Sequence, residues 1–341
     1  MKKFLLTLPV LVLLGFTIYQ PKKKQKQLLI AFYNVENLFD TIDDPLTDDK
    51  EFLPASENKW NTEKFNTKIN NLSKVISSLQ PGSFPDVIGL CEIENKRVLE
   101  ALAGSEWLKK AGYGIIHHDS PDPRGIDVAA LFRKKSFVLV DYRYLHVSFE
   151  KTPDEKTRDI LYIKGITSKK DTLHFYFNHW PSRRSGEKES EHKRLDAAKA
   201  LKKHADSIQL KNPSAQIIIM GDLNDHPDNK SVNEIAGAKP LNEKNARFYN
   251  LLYNDHLDSL GTHYFKGKWG VLDNIIVSSA LINNETGWKC SENDAVIFKP
   301  DWILYSDKNG KKAGPAKSYV GNKFFPDGYS DHLPVFLHLR K

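Results

Sequence analysis

Two short segments of the sequence each place an acid beside a polar residue of different chemistry. They are Gly221-Asp222-Leu223-Asn224 and Tyr329-Ser330-Asp331-His332, and each lies at the edge of an apolar run typical of a strand. Carboxylates bind hard cations, histidine exchanges protons near neutral pH, and asparagine hydrogen-bonds a ligand without adding charge. If the two edges meet at one rim of a sheet, these residues are suited to metal-assisted hydrolysis of a phosphoester.

The apolar pattern predicts the elements that position these residues. Apolar residues at intervals of three and four begin at Thr62 and stop at Gln80-Pro81-Gly82, which predicts one helix. Further helices are predicted over 96–110 and 187–208. Strands are predicted over 28–32 (running into 33–37), 87–90, 126–132, 160–167, 173–178, 216–220, 273–277 and 335–339. Strands in groups with helices between some of them indicate an α+β fold, a four-layer α/β/β/α sandwich of two mixed sheets flanked by helices.

The first 27 residues differ from the rest of the chain. Lys2 and Lys3 precede an apolar run over residues 4–19, which is the pattern of a secretory signal and is short for a membrane-spanning helix. No clear small-residue cleavage motif follows, so a cleaved signal peptide and an uncleaved N-terminal anchor both stay open. We expect an exported protein, periplasmic or extracellular, with one domain over 28–341. Membrane contact is expected only through the N-terminal segment, if it is uncleaved.

The charge and the cysteines limit the classes of partner and site. The formal net charge is +7, but residues 1–27 hold six lysines and no acid, which leaves about +1 for the rest. Bulk charge is therefore weak evidence for a polyanionic partner. The two cysteines, Cys91 and Cys290, cannot form a disulfide framework, and Cys91 lies in an apolar strand pattern that predicts a buried thiol. Whether the two pair is left open, and no Cys/His cluster has zinc spacing.

Six motifs in order carry a resemblance to a known family. The chain resembles the endonuclease/exonuclease/phosphatase superfamily, with its deoxyribonuclease-I-like fold, over roughly residues 28–341. It is most similar to an exported bacterial branch with an NVENLFD start and an NHWPSRR centre. The motifs are Tyr33-Asn34-Val35-Glu36-Asn37, Gly89-Leu90-Cys91-Glu92, Asn178-His179-Trp180-Pro181, Gly221-Asp222-Leu223-Asn224, Leu272-Asp273-Asn274-Ile275-Ile276-Val277 and Ser330-Asp331-His332.

The resemblance implies a site for Mg²⁺, with Mn²⁺ or Ca²⁺ as alternatives. Glu92 ends a predicted strand, where burying a carboxylate is costly unless it binds a cation. The family makes Glu92 the main metal ligand, with Asn34 beside it and Asp331 contributing to the metal side.

The resemblance also assigns catalytic roles. Asp222 binds or orients the nucleophilic water, and Asn224 binds the phosphate and supports the metal site. Asp273 hydrogen-bonds His332, which would fix the tautomer of that histidine and raise its basicity. His332 is the leading general base, but whether His332 or Asp222 takes the proton of the water is left open.

Three further residues are predicted to face the phosphate. The family places a phosphate-contacting histidine at His179. Arg183 follows it closely, and arginine suits phosphate oxygens by its bidentate geometry. Arg124 lies in a polar loop before a predicted strand and is a plausible second phosphate ligand.

Three functions from two classes fit these residues. The first is an exported metal-dependent nuclease, an endonuclease with nucleic acid as substrate. The second is the same chemistry on a lipid or inositol phosphate, as in a sphingomyelinase, for which residues 321–329 offer a faint membrane-entry hairpin. The third is a catalytically silent binding module, disfavoured because every catalytic position holds a competent residue. We expect a monomer in each case.

Overall fold

The structure is a computed structural model that describes residues 26–167, 170–285, 287–307, 309–310 and 312–341. The predicted signal or anchor over residues 4–19 therefore lies outside the described residues. Within those ranges, no helix is both long and apolar enough to cross a membrane.

Nineteen strands are described, most of them in two large sheets. In chain order they are β1 Gln27–Leu38, β2 Val87–Ile93, β3 Tyr113–Ile116, β4 Asp127–Arg133, β5 Phe137–Leu145, β6 Ile160–Thr167, β7 Thr172–His179, β8 Gln216–Asp222, β9 Ala238–Lys239, β10 Phe248–Asn250, β11 His263–Phe265, β12 Lys268–Gly270, β13 Asp273–Ser278, β14 Ala295–Ile297, β15 Leu304–Ser306, β16 Lys312–Pro315, β17 Tyr319–Val320, β18 Lys323–Phe324 and β19 Val335–Arg340.

Both large sheets are mixed. The first has six strands in the order β14-β19-β1-β2-β4-β3, and the second has seven in the order β5-β6-β7-β8-β13-β10-β9. In the first sheet, β1 pairs parallel with β2 and antiparallel with β19. In the second, β7 pairs parallel with β8, which pairs antiparallel with β13.

Within the described residues, five α-helices accompany the sheets. They are α1 Thr62–Ser78, α2 Lys96–Gly104, α3 Glu187–Lys211, α4 Tyr253–Leu257 and α5 Ser279–Ile282. The side chains of Asn61 and Asn95 accept a hydrogen bond from Lys64 N and Val98 N, so both act as N-caps for α1 and α2. Short 3₁₀ turns occur at Lys50–Phe52, Lys109–Ala111, Glu292–Asp294 and Asp301–Ile303, and a π-helical turn at Ser231–Ile235.

Three hydrophobic cores separate four layers. The central core joins the two sheets and contains Phe32, Phe177 and Met220. A second core lies between the six-stranded sheet and α1 with α2, and a third between the seven-stranded sheet and α3. The predicted α+β sandwich, helices–sheet–sheet–helix, is confirmed.

Several local expectations change. The helix expected over 96–110 ends at Gly104, because Ser105 takes an extended ψ of 157° and a separate 3₁₀ turn follows at Lys109–Ala111. Strands β3 and β5 have no counterpart among the predicted strands. Both cysteines are free and buried, which confirms the predicted buried thiol of Cys91 and shows that Cys91 and Cys290 do not pair.

Candidate active site

Strand register aligns three polar residues across the seven-stranded sheet. His179 ends β7 opposite Asp222, which ends β8, and Asp222 in turn lies opposite Asp273, the first residue of β13. Residues directly opposite each other in a sheet project to the same face. All three are buried, at 5%, 2% and 0% relative exposure, so the apolar runs that form these strands deliver a row of polar groups into the interior.

Side chains from both sheets converge on the Oδ2 atom of Asp222. It accepts a hydrogen bond from Asn34 Nδ2 at 3.1 Å, and Asn34 belongs to β1 of the other sheet. It also lies 3.6 Å from His332 Nε2 and 3.7 Å from His179 Nε2. Burial, opposed by the charge of His332, raises the pKa of Asp222 to about 6.

Asp273 and His332 form a buried pair. Asp273 Oδ2 lies 2.7 Å from His332 Nδ1, which leaves Nε2 facing Asp222. The Ser330 hydroxyl accepts a hydrogen bond from His332 N and donates one to Asn34 O at 2.7 Å. Burial would lower the pKa of His332, but the charges of Asp273 and Asp222 outweigh it, so this pKa lies well above its usual value. The expected Asp273–His332 hydrogen bond is present.

Glu92, near the end of β2, faces Asn34, which lies just before the register shift in β1. Asn34 Nδ2 donates to Glu92 Oε1 at 3.3 Å, while Asn34 Oδ1 accepts from Glu36 N at 3.0 Å. The backbone N–H of Glu36 can only donate, so the atom of Asn34 that faces it must be the amide oxygen. The amide nitrogen of Asn34 therefore faces the carboxylates of Glu92 and Asp222. His179 Nε2 lies 3.8 Å from Glu92 Oε1, so Glu92 joins the same cluster. The role of Asn34 as a direct metal ligand stays a prediction.

A bulge in β1 holds Glu92 from its other side. The register with β2 shifts between Asn34 and Leu38, and Glu36 and Asn37 both have φ of 52°. A left-handed conformation is costly for residues other than glycine. Here it aims Asn37 N at Glu92 Oε2, at 2.8 Å. Asn37 belongs to the motif Tyr33-Asn34-Val35-Glu36-Asn37, but its contact with Glu92 was not predicted.

A buried ion pair holds the bulge in place. The ammonium of Lys68, on α1, is fully buried and lies 3.8 Å from Glu36 Oε2, and it donates to Glu36 O. Glu36 Oε2 also accepts from the backbone and hydroxyl of Ser318, both at 2.6 Å. Burial, followed by the charge of Asp331, raises the pKa of Glu36 to about 7. We call Lys68, Glu36 and Ser318 the β1 clamp.

Asp331 lies on the His332 side of the site. Its side chain is 27% exposed and lies 3.8 Å from Lys317 Nζ. Asp331, His332 and His263 offer atoms within 4.8 Å of one another, and the rings of His263 and His332 are 4.8 Å apart. Burial would raise the pKa of Asp331, but the charges of His332 and His263 lower it overall. His263, on β11, was not singled out from the sequence.

Asn224 and Arg183 are engaged within the protein. Asn224, at φ of 50°, donates its backbone N–H to Asp222 Oδ1 at 2.9 Å and its side-chain Nδ2 to Trp180 O at 3.0 Å. Arg183 donates to Asn224 O at 2.5 Å and to Asp225 Oδ1 at 2.9 Å. Arg183 therefore holds the loop after β8 in place, and its contact with a phosphate stays a prediction.

Two arginines place positive charge beside His179. Arg124 is 44% exposed at its side chain and lies 3.5 Å from Asp122, while the buried Arg158 pairs with Asp122 at 2.9 Å and donates to Trp180 O. Burial, then Arg158 and Arg124, hold the pKa of His179 well below its usual value, so the ring is neutral at pH 7. Arg158 was missed from sequence, because no motif distinguishes it from other charged residues before β6.

The donor set fits a hard divalent cation. Glu92 has a side chain 16% exposed, whereas Asp222 and Asp273 are sealed, so Glu92 is the carboxylate of this cluster that an ion reaches from the rim. Among the described residues, three further groups could hold an ion. Two contain His332, one with Asp222 and Asp273 and one with His263 and Asp331, and the third, His117, Asp119 and Asp127, shares no residue with this cluster. The carboxylate oxygens of Glu92 and Asp331 suit Mg²⁺ or Mn²⁺ rather than a soft metal.

Solved structures share this architecture. The chain aligns with Danio rerio TDP2 complexed with a single-strand DNA product at 14% identity and a TM-score of 0.54, covering 92% of this chain and 99% of that one. An endonuclease/exonuclease/phosphatase family protein from Bacteroides thetaiotaomicron aligns at 14% identity and 0.55, covering 93% and 98%. The human Nocturnin catalytic domain with bound sulfate aligns at 13% and 0.53, also covering 93% and 98%. At such identities the likeness shows a shared fold.

Sequence comparison gives the family. The search of curated proteins found no significant match. A family model described as Endonuclease/Exonuclease/phosphatase family matches residues 29–341, nearly the whole chain. Those residues include every strand end that contributes to the cluster around Asp222. The chain therefore belongs to the endonuclease/exonuclease/phosphatase family.

Proposed function

We propose that this protein is an exported, metal-dependent endonuclease that hydrolyses phosphodiester bonds of nucleic acid. Family membership supports metal-dependent phosphodiester hydrolysis in general. The observation that carries the proposal is the convergence of Asn34, His179 and His332 on one oxygen of Asp222. Two sheets supply these groups, so the cluster depends on the whole fold.

Glu92 would hold the cation, with Asn34 and Asp331 beside it. When bound, Mg²⁺, or Mn²⁺ or Ca²⁺ in its place, supplies positive charge that polarises a phosphate oxygen. Asn37 N and Asn34 Nδ2 orient the two oxygens of Glu92. Hydrogen bonds of this kind fix the direction of a ligating carboxylate and tune its affinity.

Asp222, His332 and Asp273 would handle the water and its proton. Asp273 fixes the ring of His332 through Nδ1, so Nε2 faces Asp222 Oδ2. A water hydrogen-bonded at Asp222 Oδ2 would lie within reach of both groups. Since the raised pKa of His332 keeps that ring protonated at neutral pH, the carboxylate of Asp222 would take the proton as the water attacks phosphorus and the P–O bond to the leaving group breaks. A positioned acid–base group of this type contributes roughly 10²–10⁴-fold in rate.

The phosphate would lie between the acidic cluster and a positive wall. Arg124 and Arg158 supply the positive charge of that wall, and the neutral ring of His179 adds a polar contact beside them. Arg124 is the member with a substantially exposed side chain. Charge developing on the phosphate oxygens is stabilised by donors already held in place. Arg183 supports this wall through the loop that it anchors, and we retain it as a predicted phosphate ligand together with Asn224.

Nucleic acid is the favoured substrate on two grounds. The structure of Danio rerio TDP2 that shares this fold holds a single-strand DNA product. The lipid alternative would need an apolar hairpin free to enter a membrane. In the segment 319–325, Phe324 instead packs against Trp60 and Tyr319, with ring centroids 5.8 and 5.4 Å apart. That hairpin is anchored to the fold, so a sphingomyelinase-like activity on lipid or inositol phosphates is the second candidate.

Export and a monomeric state belong to the same proposal. The basic and apolar N-terminal residues support secretion to the periplasm or beyond, with or without a retained membrane anchor. Fractionation of cells expressing the full chain would test it. Recovery of the intact protein in the cytosolic fraction would contradict export.

A substrate panel tests the function. Purified protein is incubated with plasmid DNA, RNA, sphingomyelin vesicles and a chromogenic phosphodiester, each with Mg²⁺ and with EDTA. We expect EDTA-sensitive nicking of DNA or cleavage of RNA, and slower turnover of the chromogenic diester. If only sphingomyelin is hydrolysed, the substrate is a lipid and the nucleic-acid proposal is wrong. If no diester is hydrolysed, the result favours a catalytically silent binding module. His332→Ala, prepared in parallel, controls for a contaminating nuclease.

A further inference from the structure

A cavity of about 650 Å³ lies on the α3 side of the seven-stranded sheet, away from the active site. Thr172 and Gln216, which begin β7 and β8, line it. His179 and Asp222 end the same two strands and belong to the active site. At about 3.3 Å per residue, the two sites are separated by about 20 Å along β7.

Two tyrosine–histidine pairs lie at this cavity, and three of their four residues line it, namely Tyr162, His174 and His204. Tyr162 Oη lies 2.8 Å from His174 Nδ1, and Tyr176 Oη lies 2.8 Å from His204 Nδ1. Burial and the nearby Lys164 lower the pKa of His174 to about 4, and burial with neighbouring cations lowers that of His204. Both rings are therefore neutral at pH 7. A phenol proton donated to Nδ1 leaves each ring with its own proton on Nε2, as a donor.

Unpaired positive charge completes the lining. Lys164 and Lys211 line the cavity, and neither forms an ion pair with any described residue. The two acids of the lining are already neutralised, since Asp141 pairs with Arg143 at 3.1 Å and Asp171 pairs with a C-terminal lysine at 2.7 Å. The unpaired charges of the lining are therefore both positive, and the histidine N–H groups can donate beside them. Gln216 adds an amide whose Oε1 has no partner among the described residues. Ammonium groups with N–H donors are suited to binding an anion.

We propose that this cavity binds a phosphate group, carried by free phosphate or by a nucleoside monophosphate. The volume lies in the range of small-molecule sites, so it accommodates either source. The rings of Tyr162 and His204, 4.6 Å apart, offer an aromatic surface beside the charged groups. The site does not depend on the proposed activity, because it shares no residue with the cluster around Asp222.

Calorimetric titration in EDTA tests the site. Inorganic phosphate, adenosine monophosphate and adenosine are titrated into the His179→Ala variant, which removes one anion contact at the active site. We expect one saturable phosphate site. Adding Lys164→Gln and Lys211→Gln should weaken it about tenfold or more, since each change removes a charge-assisted contact with the phosphate. The matched pair Lys96→Gln and Lys110→Gln, on the opposite helical layer, changes charge equally and should leave binding unchanged.

The outcomes separate the sources and decide the proposal. Equal affinity for phosphate and adenosine monophosphate supports a site for the phosphate group alone, and tighter binding of the monophosphate supports a nucleotide site. Adenosine binding as tightly as its monophosphate would overturn the proposal, as would an unchanged affinity in the Lys164/Lys211 variant or the absence of saturable binding. Lys211→Gln alone, at an exposed position, provides a variant expected to fold normally and still to bind more weakly.

Discussion

At the scale of single residues, the site is organised around one carboxylate oxygen. Asp222 Oδ2 receives Asn34 Nδ2 directly, and both His179 Nε2 and His332 Nε2 lie within 3.7 Å of it. Positively charged and donor groups thus surround a carboxylate that burial alone would keep protonated. The resulting pKa of Asp222 is about 6, close to neutral pH. A group with such a pKa is suited to exchanging a proton with water.

Asp273 is predicted to act through His332. Because Asp273 Oδ2 contacts His332 Nδ1 at 2.7 Å, Asp273→Asn in the wild-type background should reduce the rate on the order of 10²–10⁴-fold. In a background carrying His332→Ala, the same change should add little. Hydrolysis rates of the four proteins in this double-mutant cycle provide the measurement. Fully additive losses would mean that Asp273 has a separate role.

The carboxyl group of Glu94, two residues after Glu92, predicts the direction in which stability changes with pH. Burial raises the pKa of Glu94 to about 8, above an unfolded value near 4.5. The folded protein therefore binds more protons between these values, and its stability falls as pH rises through that window. In Glu94→Gln, whose amide oxygen can still accept from Asp40 N, this loss should disappear. The melting temperature of the variant relative to wild type should increase from pH 5 to pH 8.5, and a constant difference would contradict the assignment.

At the scale of elements, the β1 bulge connects folding to the metal site. The left-handed pair Glu36 and Asn37 turns a backbone N–H toward Glu92, and the β1 clamp holds that turn with groups from α1 and from the segment before β17. Register shifts next to active sites commonly aim one group in this way. The orientation of Glu92 therefore depends on three elements far apart in the sequence.

Breaking the β1 clamp on one side should be costly. Lys68→Met leaves Glu36 buried without its ionic partner, and such a change typically costs on the order of 3–5 kcal/mol of unfolding free energy. Lys68→Met combined with Glu36→Gln removes both charges and should cost less than Lys68→Met alone. Urea denaturation of the two variants measures this. A double variant less stable than the single one would show that the pair does not act as a unit.

Sequence reasoning located several strands but not the groups that depend on distant partners. Apolar runs bounded by polar motifs predicted β1, β2, β7 and β8, because a buried strand needs a continuous apolar stretch. The last three were predicted to end at residues 90, 178 and 220, whereas they end at Ile93, His179 and Asp222. Strand β5 was missed, since it is an edge strand whose Val138 and Tyr142 are 61% and 49% exposed, which removes the buried-strand pattern.

The missed charged residues share one physical cause. Lys68 contacts Ser318 across 250 positions, and Arg158 contacts Asp122 across 36. Nothing within a local window distinguishes such a residue from a solvated surface charge. The catalytic residues were found by motif, whereas the residues that hold them become visible only when the two sheets are packed.

At the scale of the whole molecule, the active site depends on how closely the sheets approach. Asn34 and Glu92 come from one sheet, and His179, Asp222 and Asp273 from the other. The distances between them are set by the core that the sheets share, where Phe32 and Phe177 stack with centroids 6.4 Å apart. Protein interiors are packed densely, so a change in this core is transmitted to the rim.

Gly89 gives a test of that spacing. A Cβ atom at Gly89, on β2, would lie 2.0 Å from Phe177 Cδ1 on β7, so Gly89→Ala must push the sheets apart or displace the ring. We expect a loss of roughly 1–3 kcal/mol in unfolding free energy, with a lower hydrolysis rate. Gly104→Ala, with open space around its Cβ, is the control and should be near neutral. Adding Phe177→Leu to Gly89→Ala should recover part of the loss, and no recovery would contradict a sheet-spacing role.

The metal dependence of phosphodiester hydrolysis in Glu92→Gln tests the central claim most directly. Rates on a chromogenic phosphodiester are measured against Mg²⁺ concentration for wild type, Glu92→Gln and the matched variant Glu94→Gln, with circular dichroism to confirm folding. The wild type and Glu94→Gln should be active with Mg²⁺ and silent in EDTA. Glu92→Gln should be folded and strongly impaired, most of all at low Mg²⁺, because it lacks one of the two partly exposed carboxylates of the site, the other being Asp331. Full activity of Glu92→Gln at low Mg²⁺, or of the wild type in EDTA, would contradict the account.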